Sequence, residues 1–417
     1  MAVGSFKLPN VTASAPVDPS GWTRPADWLA MPTIGTQEFI GLLAVTDDSS
    51  NHIALTCQGA YTVDWGDGTS ENVATNVKAQ HTYTYSTISS GTLSTRGYKQ
   101  VLVRVTPQAG QNLTKIDLQQ QNSILAKAHS MGWLDIAIKG ANITTMTLGG
   151  STVYQSMCEN VDIYSMGAIT NFTTLFSNFY TLQKLTLPST TAVTNFFAMF
   201  QNCRSLITVP LFSTASGITF SSMFTGCYSL QSIPSFNTGA GTLFDSMFLQ
   251  CYSLKSIPLL NTALATTVAG MFQNCISLRT IPALVTTLST SFFSMFDGCF
   301  SLQSVPLINT VAGLDFRYMF QQCQSLQLLP NLNTAVGTQF LGVVSLSPSI
   351  AKAAFQGTRY AISYANMCLS REEIVNIFYG LGTAVGTPTI TISTNPGYAA
   401  VTAPEKLIAT TKGWTIA

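Results

Sequence analysis

From residue 199 to residue 334 the apolar positions of the chain recur every 24 residues, and the polar positions between them recur in step. Met199, Met223, Met247, Met271, Met295 and Met319 each open the string Met-Phe-x-x-Cys-x-Ser-Leu-x-x-(Val/Ile/Leu)-Pro. A period of this length predicts a solenoid, in which each repeat is one coil stacked on the last. Within a coil, Leu206, Val209 and Leu211, like Leu254, Ile257 and Leu259, follow an L-x-x-L-x-L spacing that predicts a short strand on one wall. Neighbouring coils are then expected to pair these strands in parallel about 4.8 Å apart, so that equivalent side chains form ladders. A lone coil buries too little to offset its ordering entropy, so stability should be shared along the stack.

The recurrent Pro disturbs strict alternation. The position after it varies (Leu211, Ser235, Leu259, Ala283, Leu307, Asn331), whereas the next is always large and apolar (Phe212, Phe236, Leu260, Leu284, Ile308, Leu332), which marks the latter as the better-buried one. Pro lacks an amide donor and should end a strand. Thr214, Thr238, Thr262, Thr286, Thr310 and Thr334 follow, a hydroxyl column suited to satisfying turn amides. Phe220, Phe244, Val268, Phe292, Phe316 and Phe340 precede the returning Met or its counterpart, which predicts a short helical or 3₁₀ return arm.

The flanks have other patterns. Residues 1–35 are rich in Pro, Ser, Thr and Ala and hold Trp22 and Trp28, reading as an extended arm that either wraps on the body or attaches to a partner through exposed Trp anchors. Residues 36–107 alternate short strands and turns, with Asp67-Gly68 supplying a tight hairpin turn. Trp65-Gly66-Asp67-Gly68, His81-Thr82-Tyr83 and the strand Val101 to Val105 together resemble the polycystic-kidney-disease-type (PKD) β-sandwich. That resemblance implies that Asp64 and Asp67 form the turn; calcium ligation is the alternative. Residues 108–190 carry a looser repeat (Leu113 to Leu118, Ile143 to Leu148, Leu182 to Leu187), expected to be irregular opening coils, ahead of the regular solenoid at 191–346. In the segment 347–417, Ser370-Arg-Glu-Glu373 is a capping box that opens a helix, followed by a strand at 387–394, a short helix from Pro404 to Lys412 and a last strand at 413–417. This segment is expected to cap the final coil.

Composition narrows the function. Charged residues make up only 9% of the chain and net charge is +1, which argues against nucleic acid or anionic lipid as a partner. Although 46% of residues are hydrophobic, no unbroken apolar run is long enough to cross a bilayer. Met1 to Asn10 show neither a basic start before an apolar core nor a cleavage site, pointing away from a secretory leader. One Cys per coil (Cys203, Cys227, Cys251, Cys275, Cys299, Cys323) is the wrong spacing for zinc, and these are read as reduced, buried thiols. The acids Asp245, Asp297 and Asp315 occupy different repeat positions, and His52, His81 and His129 lack a nearby nucleophile, so neither catalysis nor a cofactor is expected.

The Met-Phe-x-x-Cys-x-Ser-Leu string followed by Phe236-Asn-Thr238 resembles the leucine-rich repeat of the bacterial surface protein A (BspA) type. The resemblance implies a leucine-rich-repeat solenoid, mainly β with short helices, and a role in adhesion, since members are surface adhesins and related repeats occur in phage structural proteins. The leading expectation is a non-enzymatic phage virion protein, a tail or capsid appendage, held to other virion proteins by its arm and sandwich and offering the solenoid to a host glycan or protein. The alternative is a bacterial cell-surface adhesin. The expected binding face is the outer strand wall, at Gln231, Ser232, Lys255, Ser256, Arg279, Thr280, Gln303 and Ser304. Homo-oligomer contacts are also plausible from the apolar content.

Overall fold

The computed structural model describes residues 21–125 and 129–417. The N-terminal part is built from β1 (Gln37–Val45), β2 (His52–Gln58), β3 (Tyr61–Asp64), β4 (Ser70–Val73), β5 (Lys78–Thr82) and β6 (Lys99–Pro107). The chain continues through β7 (Lys115–Asp117), β8 (His129–Ser130), β9 (Trp133–Gly140), β10 (Thr145–Thr147), β11 (Val153–Tyr154), β12 (Asn160–Ser165) and β13 (Lys184–Thr186). Two sheets face each other, one in the order β13-β12-β9-β1-β6-β3-β4 and one in the order β10-β7-β2-β5. Both sheets cross residue 107. β1 pairs antiparallel with β6 on one side and β9 on the other, and β9, β12 and β13 then run parallel, as coils of a solenoid must. The opening coils thus grow directly out of the sandwich edges, and one hydrophobic core runs from Phe39 to Trp414.

β1 is buried on both faces, from Glu38 through Val45. Phe39, Leu43 and Val45 join the main core, while Leu42 and Ala44 pack with Trp28, Tyr98 and Leu134 in a second, smaller cluster. Gly41 makes this possible, since a Cβ there would lie 2.1 Å from the Trp133 ring that crosses it. Trp28 is therefore a core residue, only 5% exposed, with Nε1 donating to the Tyr98 hydroxyl at 3.0 Å. Trp22 is half-buried and donates from Nε1 to Glu159 Oε2 at 3.0 Å. Of the two readings of the arm, residues 21–35 follow the one in which it wraps on the body, covering an apolar face that β1 would otherwise show to water. The part of the expected arm before residue 21 lies outside the described residues.

The turn after β3 is held by its own side chains. Asp64 Oδ1 accepts from the Gly66 amide, and Asp67 Oδ1 from the Thr69 amide and hydroxyl. Asp67 Oδ2 meets His81 Nε2 at 2.7 Å, the His81 ring stacks on Trp65 at 5.1 Å, and the Tyr83 hydroxyl donates to the Trp65 carbonyl. Both acids serve the turn.

In the regular coils the expected columns are present. Phe200, Phe224, Phe248, Phe272, Phe296 and Phe320 stack with ring centroids 5.4–5.7 Å apart, and Leu175-Phe176 adds one further rung at the start. Each column thiol is fully buried and donates to the carbonyl of the Phe 27 residues earlier, as Cys251 Sγ does to Phe224 at 3.2 Å. Ser347 takes the next place in the column and donates to Phe320 at 2.6 Å. The position two after the Pro is buried throughout, whereas Leu211, Leu259 and Leu307 are 67–71% exposed.

Three expectations are corrected. Within the regular coils the Leu-x-x-Ile wall is extended but forms a ladder only at the end, where β14 (Leu328–Asn333) pairs with β15 (Lys352–Gln356). Elsewhere it is tied by isolated bonds such as Gln231 N to Ile207 O at 2.9 Å. The continuous parallel bridge lies instead just before the Phe, along Asn171, Asn195, Thr219, Leu243, Thr267, Ser291, Asp315 and Gln339. Second, the return arm is a ribbon of β-turns and contains no helix. Along residues 220–227, the amides of Phe220, Ser222, Phe224 and Gly226 bond to the next coil, while those of Met223, Thr225 and Cys227 close turns in their own. The turns closed by Met223 and Cys227 carry a positive φ at their third residue, supplied at Ser222 and Gly226 and at equivalent positions along the stack. At Gly226 a Cβ would sit 2.4 Å from Asn202 Oδ1 of the coil below, so any larger residue there must displace that side-chain amide. Third, the buried Thr hydroxyls serve carbonyls, not amides: Thr238 Oγ1 donates to Asn261 O and Thr262 Oγ1 to Val285 O, each at 2.8 Å.

The C-terminal segment covers the last coil with α1 (Arg371–Gly380), α2 (Ala403–Thr410) and a small parallel sheet of β16 (Ile362–Ser363), β17 (Thr389–Thr391) and β18 (Thr415–Ile416). Ser370 caps α1 by accepting from the Glu373 amide, as its sequence predicts. The reciprocal carboxylate contact is made at α2, where Glu405 Oε2 accepts from the Thr402 amide at 2.7 Å.

Candidate functional site

The eight residues of the expected face, Gln231, Ser232, Lys255, Ser256, Arg279, Thr280, Gln303 and Ser304, are all exposed and share one wall of the rod. They are set there by the buried residues on either side, Leu230 and Ile233 in the first of these coils and Leu254 and Ile257 in the second. Backbone bonds keep the wall in register, with Lys255 N to Gln231 O at 3.3 Å and Gln303 N to Arg279 O at 2.9 Å. Lys255 Nζ reaches Gln231 Oε1 at 3.4 Å, a weak contact that leaves the charge facing water. The same wall also carries Leu211, Leu259 and Leu307, one at every second coil and so roughly 10 Å apart. These were legible as the variable position after the Pro, but not as part of the face.

A corner of the rod holds a second row. Tyr154, Tyr180, Arg204, Tyr228 and Tyr252 follow one another: Tyr154 and Tyr180 are 5.9 Å apart, Arg204 lies over Tyr180 at 4.5 Å and Tyr228 at 5.4 Å, and Tyr228 stacks on Tyr252 at 4.8 Å. Ile276 and Phe300 continue the 24-residue spacing, and Gln324 ends it. In the sequence this row is hidden by its mixture of aromatic, basic and aliphatic members.

Where the arm crosses the sheet there is a cleft of about 570 Å³ between Trp22, Arg24 and the strands β9 and β12. It holds two carboxylates that sequence reasoning missed, because they lie 27 residues apart in the irregular coils. Asn160 Nδ2 donates to Asp135 Oδ1 and to Asp162 Oδ2, both at 2.8 Å, and Arg24 Nε donates to Asp135 Oδ2 at 2.9 Å. Burial pushes the Asp135 carboxyl above its ordinary range, against the pull of Asn160 and Arg24. Lys139, Lys184 and Tyr164 complete the rim. The pair is thus bridged and charge-matched, and the cleft fastens the arm to the solenoid.

His52 and His129 also come together, with rings 6.4 Å apart, and burial holds His129 below the usual imidazole range. Among the described residues no group of three or more His, Cys, Asp or Glu side chains is placed to hold a metal ion, and no helix is long and apolar enough to cross a membrane.

Residues 170–283 and 255–339 match the family described as Mycoplasma protein of unknown function, DUF285. The two matched segments overlap, as they do when one repeat pattern can be laid on an array in more than one register. Together they cover the stretch in which the stacking is regular, from the bridge at Asn171 to that at Gln339. No curated protein matches the chain.

Proposed function

We propose that the protein is a non-enzymatic virion component of a phage, a tail or capsid appendage that presents a BspA-type leucine-rich solenoid for adhesion or host-receptor binding. Its N-terminal sandwich, read as PKD-like, makes the attachment to other virion proteins. The observation that carries this reading is the outer wall: a regular, exposed row of amides, hydroxyls and two cations, interspersed with Leu211, Leu259 and Leu307, on a rod whose interior is closed by Phe and Cys columns. Such a surface suits broad, repetitive contact with a glycan or protein more than enclosure of a small substrate. Mass spectrometry of purified particles is the test, and finding the chain on a cell envelope instead of in particles rejects the virion assignment. The role of the wall is tested by comparing wild type with Lys255→Ala/Arg279→Ala on immobilised host glycans and proteins. Equal binding by both removes the wall.

A second reading, a bacterial cell-surface adhesin, is favoured by the cellular source named in the family description. It predicts the same adhesive wall and differs only in where the rod is anchored, so fractionating cells and particles separates the two.

A further inference from the structure

The corner row of aromatic side chains stops one coil too early. Lower in the row rings are covered by the next rung, Tyr180 by Arg204 and Tyr228 by Tyr252. Above Phe300, however, the equivalent positions hold Gln324 and then Pro348. The place where the row breaks off is a pocket of about 600 Å³, within the range of small-ligand sites. Phe300, Gln322, Gln324, Ser345, Leu346 and Asn366 line it, and none of its lining residues is charged. Among the described residues, no protein group engages the side-chain amides of Gln322, Gln324 and Asn366.

The backbone beside the pocket follows the repeat. Two positions in each coil adopt a left-handed backbone, and the second of them is filled, from the first rung, by Asn178, Asn202, Gly226, Gln250, Asn274, Gly298 and Gln322. The next is Leu346, at φ 56° and 66% exposed. A branched apolar residue is disfavoured in that conformation, and an exposed one gains nothing from burial to offset the strain. Here it sets an apolar side chain at the rim of the pocket, beside free amides.

From these observations we infer that the pocket binds a neutral sugar residue. A pyranose offers one face of C–H bonds and an edge of hydroxyls. The negative face of the Phe300 ring attracts the polarised C–H groups, while the amides and the Ser345 hydroxyl supply donors and acceptors for the edge. With no charged residue in its lining, the pocket does not select for an acidic sugar. The inference deepens the adhesive reading above and rests on it, naming a ligand class and a second place on the rod.

The test is a glycan array followed by calorimetric titration of the neutral glycans retained, using the full chain. Wild type is expected to retain neutral oligosaccharides, and Phe300→Ala to weaken them at least about tenfold. Gln324→Tyr supplies the missing rung, in the manner of the Tyr228–Tyr252 pair. It is expected to keep or raise the unfolding midpoint while losing sugar binding to a similar degree, which separates loss of the site from loss of the fold. Undiminished binding by Gln324→Tyr overturns the inference, as does a wild type that retains no glycan or only charged ones. If binding falls in Lys255→Ala/Arg279→Ala and not in Gln324→Tyr, the pocket is rejected while the adhesive wall stands.

Discussion

The buried thiol column makes the rod sensitive to alkali, by an amount that can be worked out. Burial raises the pKa of all six column thiols above the ordinary value of 9.0. Below about pH 9 both folded and unfolded chains keep these protons, and the column makes stability independent of pH. Above it the unfolded chain releases them while the folded chain still holds them. The folded state then binds more protons, so stability falls as pH rises. At about pH 10 each thiol costs about 1.4 kcal/mol and the six together roughly 8 kcal/mol, comparable with the whole stability of an ordinary domain. The variant that isolates the effect is Cys251→Ser/Cys275→Ser, because Ser347 already occupies the column and makes the same bond to a Phe carbonyl. Urea unfolding under reductant at about pH 8 and pH 10 is the assay. The double variant should lose roughly 2–3 kcal/mol less than wild type between the two; the buried Tyr61, Tyr83 and Tyr364, also shifted upward, contribute equally to both proteins and cancel. Equal losses would refute the buried column, as would rapid native-state labelling of thiols other than the exposed Cys368.

Three further outcomes follow from the packing. Phe248→Ala removes a rung stacked at 5.6 Å on Phe224 and 5.7 Å on Phe272, and should lower the unfolding free energy by about 3–5 kcal/mol in urea titrations. Thr262→Val keeps the shape but leaves the Val285 carbonyl without its donor, and should cost about 1–3 kcal/mol in the same assay. Trp28→Ala should cost about 3–5 kcal/mol, since the ring fills the cluster over β1, whereas an exposed anchor would change stability by about 0.5 kcal/mol or less.

What the sequence made legible was whatever side chains encode at fixed spacing. The Phe stack, the thiol column and the greater burial of Phe212, Leu260 and Ile308 all follow from period and polarity, as does the helix start at Ser370. The bridge column was not legible, because Asn195, Thr219, Leu243 and Asp315 share only their backbone. Left-handed positions filled by Ala198, Ser222 and Tyr318 carry no Gly or Asn to announce them. Of the candidate sites, the outer wall could be placed from the repeat alone. The Asp135 and Asp162 cleft and the pocket beside Phe300 could not, since each forms where the repeat is irregular or ends.

That contrast has a physical basis. In a stack each side chain of the regular coils is met by its own counterpart, so an interior column that packs well in one coil packs well in all, and a surface ring is covered by the ring above it. Repetition therefore tends to close the surface: Tyr228 and Tyr252 cover each other, and Asn202 fills the space beneath Gly226. The two recesses described above lie where the series is interrupted, at Gln324 and Leu346 near the last regular coil and under the arm at the first irregular ones. The middle of the rod supplies length and a repeated wall, and its two ends supply recesses. On the proposed adhesive reading, a ligand that needs enclosure would be met at the ends, and a polymer or extended surface along the wall.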